Sequence, residues 1–172
     1  RPETIFGDVA IAVNPNDARY THLIGTDAVI PLIERPIPII ADEHVQPDFG
    51  TGALKITPGH DKNDYEVGLR HNLPQLTDID FEGKMVNVPE EYAGLPVKEA
   101  REKVVAALES AGKLVATTPY THSVALQDRS GAQIEPLITE QWFMRVAELN
   151  KPVIDAIEKE HVKLYPKRFK KI

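Results

Sequence analysis

Phe49-Gly50-Thr51-Gly52-Ala53-Leu54-Lys55-Ile56-Thr57-Pro58-Gly59-His60-Asp61-Lys62-Asn63-Asp64-Tyr65-Glu66-Val67-Gly68-Leu69-Arg70-His71 is the stretch on which the reading of this chain turns. Gly50-Thr51-Gly52 predicts a tight turn. It does not fit a phosphate-binding loop, since neither a Gly-Lys-Ser/Thr ending nor a helix follows it directly. Residues 53–57 read as a strand, with Lys55 on the same side as Ala53 and Thr57 by the period of two. Pro58-Gly59 ends that strand, and Asp61 is placed to cap a helix running to about Asn72. Asp61 and Asp64 then fall three apart on one face of the first turn, where backbone N–H groups and the helix dipole favour negative charge.

Upstream, residues 8–13 (Asp-Val-Ala-Ile-Ala-Val) read as a buried strand, stopped by the turn chemistry of Asn14-Pro15-Asn16-Asp17. Residues 29–33 and 37–41 are further short apolar runs. Pro31, Pro36 and Pro38 assign them to sheet edges, bulges or barrel corners, where no ladder N–H is needed. Downstream, Glu82-Gly83-Lys84 predicts a hairpin turn before residues 85–88. Pro96 opens the clearest helix: Val97, Ala100, Val104, Leu108 and Ala111 form one stripe and Gly112 closes it. Lys98, Glu99, Arg101, Glu102 and Glu109 face away, so this helix reads as packing. Residues 113–118 read as a strand, and residues 123–126 pair with 133–135 across Arg129-Ser130-Gly131. After Pro136 the character changes: Gln141-Trp142-Phe143 opens an apolar-striped helix that Pro152 interrupts and Val153, Ile154 and Ile157 continue, before a basic tail at residues 163–171. The expected architecture is α+β, mainly β and barrel-like, with a few surface helices.

The chain has 172 residues, enough for one core without disulfide staples. Cysteine is absent, which excludes disulfides, thiol nucleophiles and cysteine-ligated zinc and suits a reducing compartment. Hydrophobic content of 42% beside 27% charged residues is that of an ordinary soluble domain. No apolar run reaches the length of a membrane span, and no charged-then-apolar leader opens the chain. A net charge of -6 and a pI near 5.5 argue against a free-standing nucleic-acid binder. Any nucleic-acid partner must be gripped locally or by another part of a longer chain. Arg1-Pro2-Glu3-Thr4 carries no initiator methionine and leads directly into structured sequence, as a fragment of something longer would.

The candidate chemistry has bland alternatives. Asp61 is explained by helix capping alone, whereas Asp64, a second carboxylate in the same turn, is not needed for a cap and can hold an ammonium group or orient a water. Lys55 shares a face with Thr57 and leads toward both aspartates; a solvent-facing strand lysine fits the pattern equally well. His60 and Asp64 have the four-residue spacing of metal ligands, but a third ligand would have to come from distant His44 or His122, and no metal is expected. Ser123 and Ser130 sit in no nucleophile elbow.

Four segments carry a resemblance, and they fall in order across essentially the whole chain. They are Arg1-Pro2-Glu3-Thr4-Ile5-Phe6-Gly7-Asp8, the stretch from Phe49 through Gly68, Pro119-Tyr120-Thr121-His122-Ser123-Val124, and Arg129-Ser130-Gly131 with Ile134-Glu135-Pro136 and Gln141-Trp142-Phe143. The chain resembles the editing domain of valyl-tRNA synthetases, the connective polypeptide 1 insertion shared with the isoleucyl and leucyl enzymes. The resemblance implies a barrel-like editing domain over residues 1–136, with residues 137–172 a helical, basic segment leading back toward the catalytic core. It implies hydrolysis of the ester of threonine wrongly attached to tRNA(Val). A hydrophobic pocket rejects an isostere that merely adds a hydroxyl only about a hundredfold, valine against threonine being the known instance.

By the same resemblance, Asp64 matches the carboxylate that holds the substrate ammonium. Lys55 and Thr57 match residues lining the threonyl pocket, and Asp61 a second pocket carboxylate. Arg1 and Thr4 match the threonine-rich strand that meets the terminal adenosine and the aminoacyl group. A water positioned among Asp64, Asp61, Lys55 and the tRNA's own terminal hydroxyl is then the attacking group. No cofactor is implied for editing; the parent synthetase would use ATP and Mg2+ in a catalytic domain outside this chain. The implied partners are the tRNA(Val) 3' end carrying threonine and the remainder of the synthetase, in a cytoplasmic monomer with no membrane contact. A module that only docks the tRNA acceptor end is the other reading, which the acidic charge leaves open.

This chain departs from the family pattern in three places. The threonines that usually precede Arg1 are absent, and Gln127-Asp128 stands where some relatives carry cysteine. Gly59 replaces an alanine common among relatives, a change expected mostly to loosen the turn.

Overall fold

A computed structural model describes residues 1–119, 121 and 123–170. The chain divides into two compact units, Arg1–Ile138 and Thr139–Ile172.

The first unit opens with a 3-10 helix, Pro2–Gly7, where the resemblance implied a strand. Pro2 starts it with the backbone φ a helix needs. Strand β1 (Ala10–Val13) follows, then β2 (Asp27–Ile30), β3 (Arg35–Ala41) and β4 (Ala53–Ile56). The sheet order is β2-β3-β1-β4, with β1 parallel to β3 and antiparallel to β4, and β2 antiparallel to β3. The sheet is open, with β2 and β4 as its edges, so the expected barrel is not closed by these strands.

Strand β3 lies inside the sheet order although it carries Pro36 and Pro38, against the expectation of an edge. The register resolves this: residues 35–38 pair only with β2, and pairing with β1 begins at Ile39. The Ile39 N–H donates to the Thr26 carbonyl on the β2 side. By alternation the proline nitrogens at 36 and 38 point to the side that β1 does not reach, where no donor is required.

Helix α1 (Lys62–His71) has Asp61 as its N-cap, whose side chain accepts from the Asn63 and Asp64 N–H groups, and Asn72 closes it in the left-handed region at φ 57°. Helix α2 (Val97–Ser110) starts after Pro96, and Gly112 at φ 65° carries the chain off it. Two apolar clusters form the core. Phe6, Ile79, Met85, Tyr92, Ala100 and Val104 pack under α2, with the Phe6 and Tyr92 rings 4.9 Å apart. Val9, Ala10, Ala12, Val45, Ile56 and Val67 fill the space between sheet and α1. Asp8 sits between Phe6 of one cluster and Val9 of the other, where the 3-10 helix hands over to β1.

Several weaker signals did not become regular structure. Residues 113–118 form no strand, and the expected hairpin at 123–135 is reduced to a single bridge, Leu126 to Gln133. The turn at Gly83 forms, but only isolated bridges flank it. Residues 113–118 and 123–135 are mostly exposed and bury too little apolar surface to hold a ladder, whereas Ile79 and Met85 beside the Gly83 turn are buried in the core.

The second unit contains helix α3 (Val146–Glu158) and a 3-10 turn, Lys167–Lys170. The helix starts at Val146, after the Gln-Trp-Phe triplet, and Pro152 lies within it without ending it. No helix among the described residues is long and apolar enough to cross a membrane.

Candidate functional site

The end of β4 and the first turn of α1 converge on one small polar cluster. Lys55 lies on β4 opposite Ile11 of β1, and Thr57 is the first residue past the strand. Lys55 Nζ donates to Thr57 Oγ1 at 2.7 Å, and Thr57 Oγ1 donates to Asp8 Oδ1 at 2.5 Å. The Thr57 backbone N–H donates to Asp64 Oδ2 at 2.9 Å, and the same oxygen lies 3.8 Å from Lys55 Nζ. Thr57 is fully buried, Asp8 and Asp64 nearly so, while 40% of the Lys55 side chain remains exposed. The cluster is therefore a buried acidic base with one cation at its open side.

Burial raises the Asp64 carboxyl above the ordinary aspartate range, opposed by the Thr57 N–H and the Lys55 charge and assisted by Asp61. Burial pushes Asp8 up to about 6, against the Thr57 hydroxyl and Lys55, with Asp64 adding to the rise. Two neighbouring carboxylates that share one lysine cannot both shed their protons as easily as isolated ones.

Asp61 is exposed, and its Oδ1 is committed to capping α1 through Asn63 and Asp64. Thr4 is buried, and its hydroxyl donates to the Arg1 carbonyl. Arg1 is held by Glu3, by the His60 carbonyl and by Glu135. So Lys55, Thr57 and Asp64 are brought together directly and Asp61 joins them through its bond to the Asp64 N–H, while the hydrogen bonds of Arg1 and Thr4 go to Glu3, the His60 carbonyl, Glu135 and each other.

His60 is buried, and its Nε2 accepts the Asp78 N–H at 2.8 Å. Burial, reinforced by the Arg1 charge, lowers it to about 4, so the neutral ring serves as an acceptor in the framework. Of the residues expected as candidate metal ligands beside it, Asp64 is engaged with Thr57, and His122 lies outside the described residues. Asp78 is itself buried and raised to about 7, chiefly by that burial.

Two of the contacts carry roles the sequence did not suggest. Asp8 looked like the first residue of a strand; the one signal for it was an acid set immediately before an otherwise apolar, buried run. Arg101, expected to face away from the core, forms a two-pronged pair with Glu3, Nε to Oε2 at 2.9 Å and a terminal nitrogen to Oε1 at 2.8 Å. Glu3 is fully buried. Burial alone would raise its carboxyl, but the Arg101 hydrogen bonds, with a backbone bond and the charges of Arg101 and Arg1, hold it at about 2.

Gly59 is tighter than its sequence suggested. A Cβ there would stand 1.9 Å from the Leu76 carbonyl oxygen. In this chain the loop before Asp78 closes directly on the Gly59 backbone, so alanine requires that loop to move, and the glycine tightens this corner where loosening was expected. Gly59→Ala is expected to cost about 1–3 kcal/mol as an overpacked site, read as a lowered urea midpoint. A variant as stable as the parent would show that the loop yields freely.

A cavity of about 570 Å³ lies beside the cluster's strand, lined by His44, Gln46, Phe49, Thr51 and Leu54 among others, but by none of Lys55, Thr57, Asp61 or Asp64. This apolar hollow is a neighbour of the hydrogen-bonded polar cluster.

Comparison with known proteins bears on this geometry. A family model described as "Leucyl-tRNA synthetase, editing domain" matches residues 15–109, a span that includes Lys55, Thr57, Asp61 and Asp64. The chain is 48% identical over 171 residues to a valine–tRNA ligase of Clostridium perfringens, covering 99% of this chain and 19% of that protein. It is 51% identical over 170 residues to the valine–tRNA ligase of Streptococcus agalactiae and 51% identical over 172 residues to that of Coxiella burnetii. These alignments cover 98% and 99% of this chain, and 19% of each relative. The chain thus spans about a fifth of the length of the curated relatives it matches.

Proposed function

Because the chain belongs to the family of leucyl-tRNA synthetase editing domains, we propose that it is the editing module of a valine–tRNA ligase and hydrolyses the ester of threonine wrongly attached to tRNA(Val). The observation that carries this reading is the Lys55–Thr57–Asp64 cluster, in which a partly exposed ammonium and a buried carboxylate lie 3.8 Å apart. A threonyl ester brings a positive ammonium and a side-chain hydroxyl, and this pair of groups complements both.

In this reading Asp64 holds the substrate ammonium, Lys55 meets the threonyl hydroxyl with buried Thr57 behind it in the pocket wall, and Asp61 stands as a second carboxylate at the rim. Arg1 and Thr4 shape the side on which the terminal adenosine lies. Valine offers no hydroxyl to Lys55 and leaves that ammonium unmatched, which is the physical basis of the second sieve. No cysteine is present, and no serine belongs to the cluster, so the attacking group is water. Its oxygen bonds to the ester carbonyl carbon, the bond from that carbon to the ribose oxygen breaks, and threonine and the free tRNA hydroxyl leave. The tRNA's own neighbouring hydroxyl helps to place the water. The protein contributes orientation and fixed charge.

The reaction takes no cofactor from this chain; ATP and Mg2+ belong to the aminoacylating part of the longer enzyme. The remainder of that enzyme and the tRNA(Val) 3' end are the partners, in a cytoplasmic monomer. The barrel-like closure of the editing domain and the role of the second unit as the return to the catalytic core belong to the same reading.

Adding the chain to threonyl-tRNA(Val) is expected to shorten the lifetime of the ester and to leave valyl-tRNA(Val) largely intact. An unchanged threonyl ester lifetime in excess protein would defeat the hydrolase reading, and tRNA binding without hydrolysis would assign the chain to docking instead.

A further inference from the structure

Asp8 is a buried group that the proposed reaction does not use directly, yet the hydrogen bond from Lys55 to Thr57 continues to it. A lysine ammonium has donors only, so at the 2.7 Å contact Lys55 must donate and Thr57 must accept. The Thr57 hydroxyl has one proton, and the contact at 2.5 Å gives that proton to Asp8 Oδ1. The direction Lys55 to Thr57 to Asp8 is the only consistent one while Asp8 is an acceptor. The backbone of Asp8 is held in turn, since an Arg35 terminal nitrogen donates to the Phe6 and Asp8 carbonyls at 2.5 and 2.7 Å.

We propose that Asp8 is a positioning residue for threonyl-ester hydrolysis: by taking the Thr57 proton it turns the Thr57 lone pair toward Lys55 and fixes the ammonium beside Asp64. The remaining ammonium N–H groups are thereby aimed at the open side of the cluster, where a substrate hydroxyl is read. The inference rests on the reading that Lys55 meets that hydroxyl. Without the acceptor at Asp8, Thr57 is free to rotate its proton toward Lys55, and the lysine loses the contact that selects one of its many rotamers.

The charged and titratable groups that face Asp8 are Lys55 from β4, Asp64 from α1, Arg35 from β3 and Asp78 from the loop before Met85. Asp8 becomes neutral as pH falls through about 6. A protonated Asp8 can donate to Thr57, and the single direction of the relay is lost. Discrimination between threonyl and valyl esters is therefore expected to decline as pH falls through that range.

The test uses the full chain and its Asp8→Asn, Asp8→Ala, Thr57→Val and Thr57→Ser variants, with two readouts. The first is the 15N signal of the Lys55 ammonium without tRNA. The second is kcat and KM for deacylation of threonyl- and valyl-tRNA(Val). Asp8→Ala and Thr57→Val are expected to broaden the Lys55 signal and to lower the threonyl-to-valyl ratio about tenfold, mainly through kcat. The Asp8→Ala/Thr57→Val double variant should be no worse than either single one, because both break one relay. Thr57→Ser, which keeps the hydroxyl, should keep the narrow Lys55 signal that Thr57→Val loses. Asp8→Asn keeps the shape if Asp8→Ala fails to fold, and should flatten the pH dependence near 6. An unchanged Lys55 signal in a folded Asp8 variant would overturn the proposal, as would a fallen ratio with that signal intact. If the unaltered chain hydrolyses neither ester, the functional reading fails, while the Lys55 signal still decides the positioning role.

Discussion

Asp64→Asn is expected to slow threonyl-tRNA(Val) hydrolysis by about a hundredfold in kcat/KM while leaving the chain folded. Asp64 Oδ2 accepts the Thr57 N–H at 2.9 Å, and an asparagine carbonyl oxygen can take over that bond. Among the described residues no hydrogen bond ends on Asp64 Oδ1, which leaves that oxygen for a substrate ammonium. Asparagine removes the charge that would hold it. A hydrogen bond to a charged group is worth roughly 1.5–3 kcal/mol, and a reacting group misplaced by about 1 Å can cost about a hundredfold in rate. Asp64→Ala should lose as much activity and, by orphaning the buried Thr57 N–H, about 1–3 kcal/mol of stability as well. Deacylation kinetics beside urea unfolding separate the two effects. An Asn variant with unchanged kcat/KM would remove Asp64 from the ammonium site, and a rate that falls only in step with stability would make its role structural.

Glu3→Gln should produce the largest loss of stability, about 2–3 kcal/mol. Glu3 is fully buried and forked by Arg101, whereas the Arg101 and Arg1 side chains are 37% and 29% exposed. Breaking a fully buried pair costs about 3–5 kcal/mol; here the cations left behind can return partly to water, so the cost is smaller. Linkage gives a similar figure from another direction. The carboxyl sits at about 2 in the folded chain against 4.5 for an ordinary glutamate, a difference worth about 3 kcal/mol at most. Because the folded value is depressed, this stability is fully present above pH 4.5 and is lost as pH falls from there toward 2.

Other groups titrate in different windows. Asp8 and Asp78, raised to about 6 and 7, favour the folded chain increasingly as pH falls toward the ordinary aspartate value. His60, lowered from 6.5 to about 4, works against it between those values. The difference between parent and Glu3→Gln chains therefore isolates Glu3. It should shrink from pH 5 to pH 3 in urea unfolding, and a constant difference across that range would show that Glu3 is not held ionised by Arg101.

Local signals in the sequence were legible because local bonds make them. Asp61 caps α1 through N–H groups two and three residues away, Asn72 and Gly112 take the left-handed conformation that ends a helix, and Gly50 and Gly52 make a turn at positive φ. The stripe of α2 was equally readable, since Ala100 and Val104 on one face are buried whatever they meet. By the same period-two rule, Lys55 and Thr57 fall on one side at the end of β4, within reach of their 2.7 Å contact. Weaker local patterns at 113–118 and 123–135 failed, because a strand without a buried face has little beyond its own ladder to stabilise it.

The sequence by itself thus determined the α+β class, the turn-strand-turn-helix corner and three members of its polar cluster. It also carried the motifs by which the family resemblance could be seen. Only the tertiary structure decided that Asp8 closes that cluster across 49 residues, that Arg101 reaches Glu3 across 98, and that the Leu76 carbonyl needs Gly59 bare. It also set the sheet order, in which parallel β1 and β3 flank no common turn. A cap or a turn is satisfied by atoms a few residues away, so its signal is written where it acts. A buried carboxylate is satisfied by whichever donor the packing brings, and no nearby residue records that choice.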